Sequence, residues 1–190
     1  MGAKVPFSSL LGDSWLDNLS TLHELQFRAK LSTVGMTISP SCYPGSNVFI
    51  NKLGISDPKL LATAEADFCL LRTEEYRRQI SSNSFDLDHL RLIHYHLFQD
   101  IYDWAGQIRA DDIRKNICEF TPAVDIETQA LDIYQQLAAE NYLLEYEVKQ
   151  LIPKLARYYD LTNRLHPFSE GNGRVQRLFI EQLVNQCGYF

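Results

Sequence analysis

Two runs of helical periodicity meet at residues 166–173, and the break between them constrains the fold more than any other stretch. Before it, Leu151, Ile152, Leu155, Tyr158, Tyr159 and Leu165 recur at roughly helical spacing; after it, Val175, Leu178, Phe179 and Leu183 do so. Between them Pro167 and the Gly171–Gly173 pair interrupt the pattern. The spacing therefore predicts one helix ending at His166 and another beginning at Arg174, facing each other across a tight turn.

The residues in the break carry chemistry. Glycines let a backbone approach a ligand, and the first turn of a helix has amides without partners, at the positive end of the helix dipole. Gly171, Asn172 and Gly173 would form such an anion cradle. Arg174 and Arg177, three residues apart, share a helical face and could both reach a polyphosphate. Glu170 is available as a Mg²⁺ ligand, since that ion takes one or two carboxylates plus phosphate oxygens. His166 is the side chain here that accepts a proton near neutral pH. Together they describe phosphoryl or nucleotidyl transfer to a hydroxyl. Each also has a plain reading: His166 as a helix cap, Glu170 as a dipole partner, Arg177 paired with Glu181, and Gly-Asn-Gly as a turn only.

The ordered set resembles the signature of the Fic family: His-Pro-Phe, any residue, Asp or Glu, then Gly-Asn-Gly-Arg, with a further Arg three residues on. His166 to Arg177 fills every position, and Asn163 fits the run into it. The resemblance implies a mostly α fold, a Fic-like helical bundle with a short β-hairpin flap over the active site. It implies His166 as catalytic base, Glu170 as the metal ligand for Mg²⁺, and Gly171, Asn172, Gly173, Arg174 and Arg177 as the ATP-binding set. Phe168 reads as a core anchor for the loop.

The implied activity is transfer of AMP from ATP to a Ser, Thr or Tyr hydroxyl of a target protein. Transfer of another phosphate-containing group, or a catalytically silent helical binding module, are the alternatives. As in Fic toxins, the enzyme would be restrained by a separate small antitoxin that offers an inhibitory Glu on a helix. Ser20 and Glu24 come nearest to an internal version of that inhibitor, but Leu25 stands where Gly or Asn is wanted. The setting implied is a bacterial cytoplasm, or a host cell reached as a delivered effector.

The remaining chain is organised around this motif. At 190 residues, 45% apolar and 22% charged, it suffices for one domain with a full core. A net charge of −6 argues against broad nucleic-acid binding, and no apolar run is long enough to span a bilayer. Four scattered cysteines without a Cys-x-x-Cys pair suggest reduced thiols, neither a zinc site nor a disulfide framework.

Residues 1–42 read as an N-terminal extension, partly helical between Ser14 and Leu31. Residues 43–190 read as the Fic domain, stopping short of the C-terminal helices relatives usually carry. Residues 32–50 look irregular. Asp57-Pro58 is a helix opening, followed by a buried face expected at Leu60, Leu61, Ala64, Phe68 and Leu71. Asp86 caps a helix through Leu87, Leu90, Ile93, Leu97, Phe98 and Ile101, which carries His89, His94 and His96 but no metal-site spacing. Residues 101–126 alternate partly and read as an extended flap or a surface loop. The WAGQIR run, Lys115 and Phe120 resemble the Fic flap, which would receive the target by strand addition. A further helix follows over 123–141.

Overall fold

A computed structural model of the chain describes residues 37–79, 84–115 and 118–189. The expected helix at 14–31, with Ser20 and Glu24, lies outside the described residues. The helices are α1 (Pro58–Gln79), α2 (Leu87–Phe98), α3 (Ile126–Ala139), α4 (Val148–Leu165) and α5 (Asn172–Gln186). Helix α2 is central: it packs on α1, α5 and α3, and nine of its twelve residues are buried.

The local signals act as their chemistry requires. Asp57 Oδ1 accepts from the amides of Lys59 (2.9 Å) and Leu60 (2.8 Å), opening α1 at Pro58. Asp86 Oδ1 accepts from His89 N at 2.8 Å and caps α2. Helix α3 starts at Ile126 after a short 3₁₀ turn at Ala123–Asp125, and its Ile133, Tyr134 and Leu137 are buried.

Helix α1 departs from the expected face. Leu60 and Leu71 are 57% and 64% exposed, whereas Leu61, Glu65, Cys69 and Tyr76 are buried. These four sit four, four and seven residues apart, a narrow stripe that a search for apolar letters breaks at Glu65. Likewise α2 ends at Phe98, with turns rather than helix up to Gly106.

The strands are short. β1 (Thr37–Ile38) pairs in parallel with β2 (Ile108–Arg109), and Ala110 N donates to Ile38 O at 2.8 Å. The segment expected to be irregular is thus tied to β2; further on Cys42 bridges Phe49, whose ring packs edge-on against Trp104 at 5.5 Å. β3 (Arg114–Lys115) and β4 (Cys118–Glu119) form the antiparallel flap hairpin, with Arg114 opposite Glu119 and Lys115 opposite Cys118. The extended reading of residues 101–126 holds over the plain loop.

The α2 histidines serve packing. His94 is fully buried, stacked between Phe168 (4.1 Å) and Phe98 (4.7 Å). Its Nδ1 accepts from Gly106 N at 2.7 Å, so Nε2 carries the proton and donates to Glu170 O at 3.2 Å. His89 Nε2 lies 3.2 Å from the Tyr76 hydroxyl. Burial lowers the pKa of His94 to about 3 and that of His89 to about 4.

Both values lie below the unfolded value of about 6.5, so the unfolded chain binds protons first as pH falls. The stabilisation from these neutral rings is complete above that value and is lost between it and the folded values. Two such groups predict a loss of about 4 kcal/mol between pH 7.5 and 5.0. Urea unfolding at the two pH values measures it; equal stabilities would mean that the rings are not held neutral.

Candidate active site

The site begins where α4 stops. Pro167 disfavours right-handed helical geometry at the residue before it. His166 accordingly turns left-handed (φ 45°, ψ 61°), while its amide still caps the helix through Thr162 O at 3.2 Å. The imidazole stacks on Phe120 of the flap, with centroids 3.7 Å apart and planes within 15°. Thr121 N donates to Arg164 O at 3.0 Å, which holds the flap against the end of α4.

The turn is locked by Asn172. Its Oδ1 accepts from Phe168 N at 2.9 Å and its Nδ2 donates to Phe168 O at 2.7 Å. These two bonds bring the start of α5 against a residue two positions beyond His166. They also take up the Asn172 side chain, leaving its backbone amide for any ligand. Phe168 is fully buried against His94, as a core anchor should be.

Gly171 has φ +82°, and a Cβ there would lie 2.3 Å from Phe98 Cζ. The fold itself demands this glycine. At Gly173 a Cβ would meet only Arg177 Nη1, at 3.4 Å, in ordinary contact. A close backbone approach to a ligand explains that second glycine better than packing does. The amides of Asn172 and Gly173 open α5, where no preceding turn supplies carbonyl partners.

Glu170 is half-exposed; its Oε1 accepts from Gly171 N at 2.9 Å and lies 3.4 Å from Arg174 Nη2. An exposed carboxylate with its second oxygen unspent, beside a helix start, fits a Mg²⁺ ligand of the kind phosphate sites use.

The two arginines differ more than their spacing suggests. Arg174 turns inward: Nη2 donates to Glu65 Oε2 at 2.6 Å, Nη1 to Cys69 Sγ at 3.4 Å, and the guanidinium sits 4.7 Å over the Phe98 ring. The hydroxyl of Tyr102 donates to the other oxygen of Glu65. Burial opposes the charge on Arg174, but Glu65, Cys69 and Glu170 together outweigh it and hold the pKa above its ordinary value. Arg177 is exposed and has no ion pair among the described residues. Glu181, four residues on, instead binds Arg77 of α1 at 2.6 and 2.7 Å.

Lys115 lies in β3, its backbone opposite Cys118. Two contributors escaped the sequence reading, and a third was seen only as part of the WAGQIR run. Glu65 is one; its signal was the four-residue spacing to Leu61 and Cys69. His94, which holds the Glu170 carbonyl, had none. The third, Arg109, is 1% exposed, and its Nε donates to His166 O at 2.8 Å.

A profile of the Fic/DOC family matches residues 84–184, from just before α2 into the last turn of α5. The chain belongs to the Fic/DOC family. It is 39% identical over 150 residues to a probable protein adenylyltransferase Fic of Salmonella typhimurium, covering 79% of this chain and 74% of that one. It is 41% identical over 150 residues to the protein adenylyltransferase VbhT of Bartonella schoenbuchensis, but spans only 31% of that relative's length. Among solved structures, BepC of Bartonella tribocorum with bound AMPPNP matches with a TM-score of 0.74 at 25% identity, covering 77% of each chain. An N-terminal Fic domain from Bartonella quintana with bound ADP matches at 0.75 and 27%, covering 77% of this chain and 76% of that one. The Fic bundle and its hairpin flap are therefore the fold of this chain. No helix among the described residues is long and apolar enough to cross a membrane.

Proposed function

We propose that this chain is a protein adenylyltransferase that moves AMP from ATP to a Ser, Thr or Tyr hydroxyl of a target protein. The observation that carries the reading is the junction itself. His166 is held under the flap, and two bonds from Asn172 bring the open first turn of α5 to within two residues of it. The names of its relatives and the nucleotides in its structural neighbours support the same chemistry.

In the reaction, the target oxygen bonds to the α-phosphorus, the α–β phosphoanhydride bond breaks, and pyrophosphate leaves. His166 takes the hydroxyl proton as the oxygen attacks. The Asn172 and Gly173 amides and Arg177 stabilise the charge on the phosphates. Arg174 serves mainly to hold α1 against the motif through Glu65, and only its remaining N–H groups can meet phosphate. Glu170 would hold Mg²⁺, which when bound neutralises phosphate charge. The target segment would add to the flap edge as a strand, with Lys115 and Phe120 shaping its path. The exposed Arg177 also suits an inhibitory Glu on the helix of a small antitoxin. A bacterial cytoplasm, or a host cell reached by secretion, would be the setting.

ATP labelled separately at the α and γ positions, incubated with the chain, Mg²⁺ and bacterial lysate, tests the reaction type. Protein should take up the α label and not the γ label. Uptake from γ alone would replace AMP transfer by phosphoryl transfer, and no uptake from either would leave a binding module.

A further inference from the structure

We infer that Arg109 is a positioning residue of the transfer site, tying the backbone of His166 and both feet of the flap to one buried guanidinium. The inference rests on the reading of His166 as the base. Arg109 stands in β2, and its main-chain amide donates to Pro167 O at 2.9 Å. Its side chain makes three further bonds, all to backbone carbonyls. Nε donates to His166 O at 2.8 Å, Nη1 to Asp111 O at 2.7 Å, and Nη2 to Thr121 O. Asp111 precedes the flap hairpin and Thr121 follows it.

The geometry suits guanidinium and no other side chain. A planar fork of five donors can serve three carbonyls arriving from three directions. The ammonium of lysine, a compact group with rotatable donors, cannot hold that plane. Burying a cation is expensive unless its donors are satisfied. Here the three acceptors all belong to the site, since none lies in the helical core that α2 organises. β2 has separate anchors for the fold, in the fully buried Ile108 and in its pairing with β1.

The consequence for chemistry is specific. Phe120, whose ring covers the imidazole, is bonded directly to Thr121, and the imidazole's own peptide is held by the same guanidinium. One group thus fixes the base, the ring stacked on it, and the hairpin expected to present the target hydroxyl. Misplacing a catalytic group by about 1 Å is enough to cost about a hundredfold in rate. Nothing in the Arg109 contacts touches the α5 turn, so nucleotide binding is left to other residues.

Arg109→Lys, which keeps the charge, and Arg109→Gln, which removes it, test this in the full chain. Initial rates of transfer from α-labelled ATP to a fixed amount of lysate protein are read as a function of ATP. Calorimetric titration with ATP and thermal unfolding are run alongside. The expected result for both variants is a cooperative unfolding transition, a KM and Kd for ATP within about threefold of the parent, and a saturating rate at least fivefold lower, with Gln below Lys. A rate reduced less than fivefold in folded protein overturns the inference. So does loss of the folded state or of ATP binding, which would make Arg109 a general fold determinant. If the parent chain itself transfers no label, the assignment of the base has failed; if it is active and the variants match it, only the role of Arg109 has.

Discussion

Replacing His166 by asparagine is expected to lower AMP transfer by about 10²–10⁴-fold, the usual contribution of a general base, while ATP binding persists. Asparagine is the better test because of the backbone. His166 occupies the left-handed region at φ 45°, which Asn adopts more readily than Ala. The two main-chain bonds at this residue, to Thr162 O and from Arg109 Nε, survive the change. What disappears is the proton acceptor and the stack on Phe120, the latter worth about 0.5–1.5 kcal/mol. His166→Ala should lose the same activity, at a backbone position that Asn adopts more readily than Ala. Rates with α-labelled ATP, set against thermal unfolding and an ATP titration, separate the two effects. Unchanged labelling by the asparagine variant would remove His166 from the chemistry.

The motif could be read in advance because its parts are local. A helix end, a proline, two glycines and a helix start within twelve residues determine most of their own geometry, and the caps Asp57 and Asp86 are equally local. What could not be read depends on segments that meet only in the folded chain. Arg109 lies in a two-residue strand amid charged residues, where an arginine looks like a solvated surface group. Its burial follows from three carbonyls that α4 and the flap bring to it. By residue type alone, Leu60 and Leu71 belong in the core and Glu65 at the surface. The fold reverses both, since Glu65 faces Arg174 and Tyr102 across 109 and 37 residues of chain.

That reversal alters the meaning of the two motif arginines. Three residues apart on one helix, they look equivalent in sequence. Arg174 is drawn under the turn by a buried carboxylate and an aromatic face, while Arg177 is left at the surface because α1 takes Glu181. One arginine therefore ties the motif to the bundle, and the other is an exposed cation on the first turns of α5, without an ion pair among the described residues.

The largest stability effect is expected from Gly171→Ala, and it shows how closely the turn and the core are joined. The new methyl group would lie 2.3 Å from Phe98 Cζ and 2.4 Å from Cε2. The ring cannot swing away: His94 stacks on it at 4.7 Å and the Arg174 guanidinium sits above it at 4.7 Å. Overpacking of this kind costs about 1–3 kcal/mol, and an alanine held at positive φ adds about 1–2 kcal/mol. The total is a large share of the roughly 5–15 kcal/mol that holds such a domain together. Gly173→Ala, one turn position away, should be neutral or slightly stabilising, because Gly173 lies in regular helix with room for a methyl group. Urea unfolding distinguishes the two variants. Adding Phe98→Leu to Gly171→Ala should recover at least about 1 kcal/mol relative to the sum of the single changes, since the clash is with the ring. Strict additivity would place the cost in the backbone of Gly171 alone, and the close approach of the turn to the core would then have no energetic meaning.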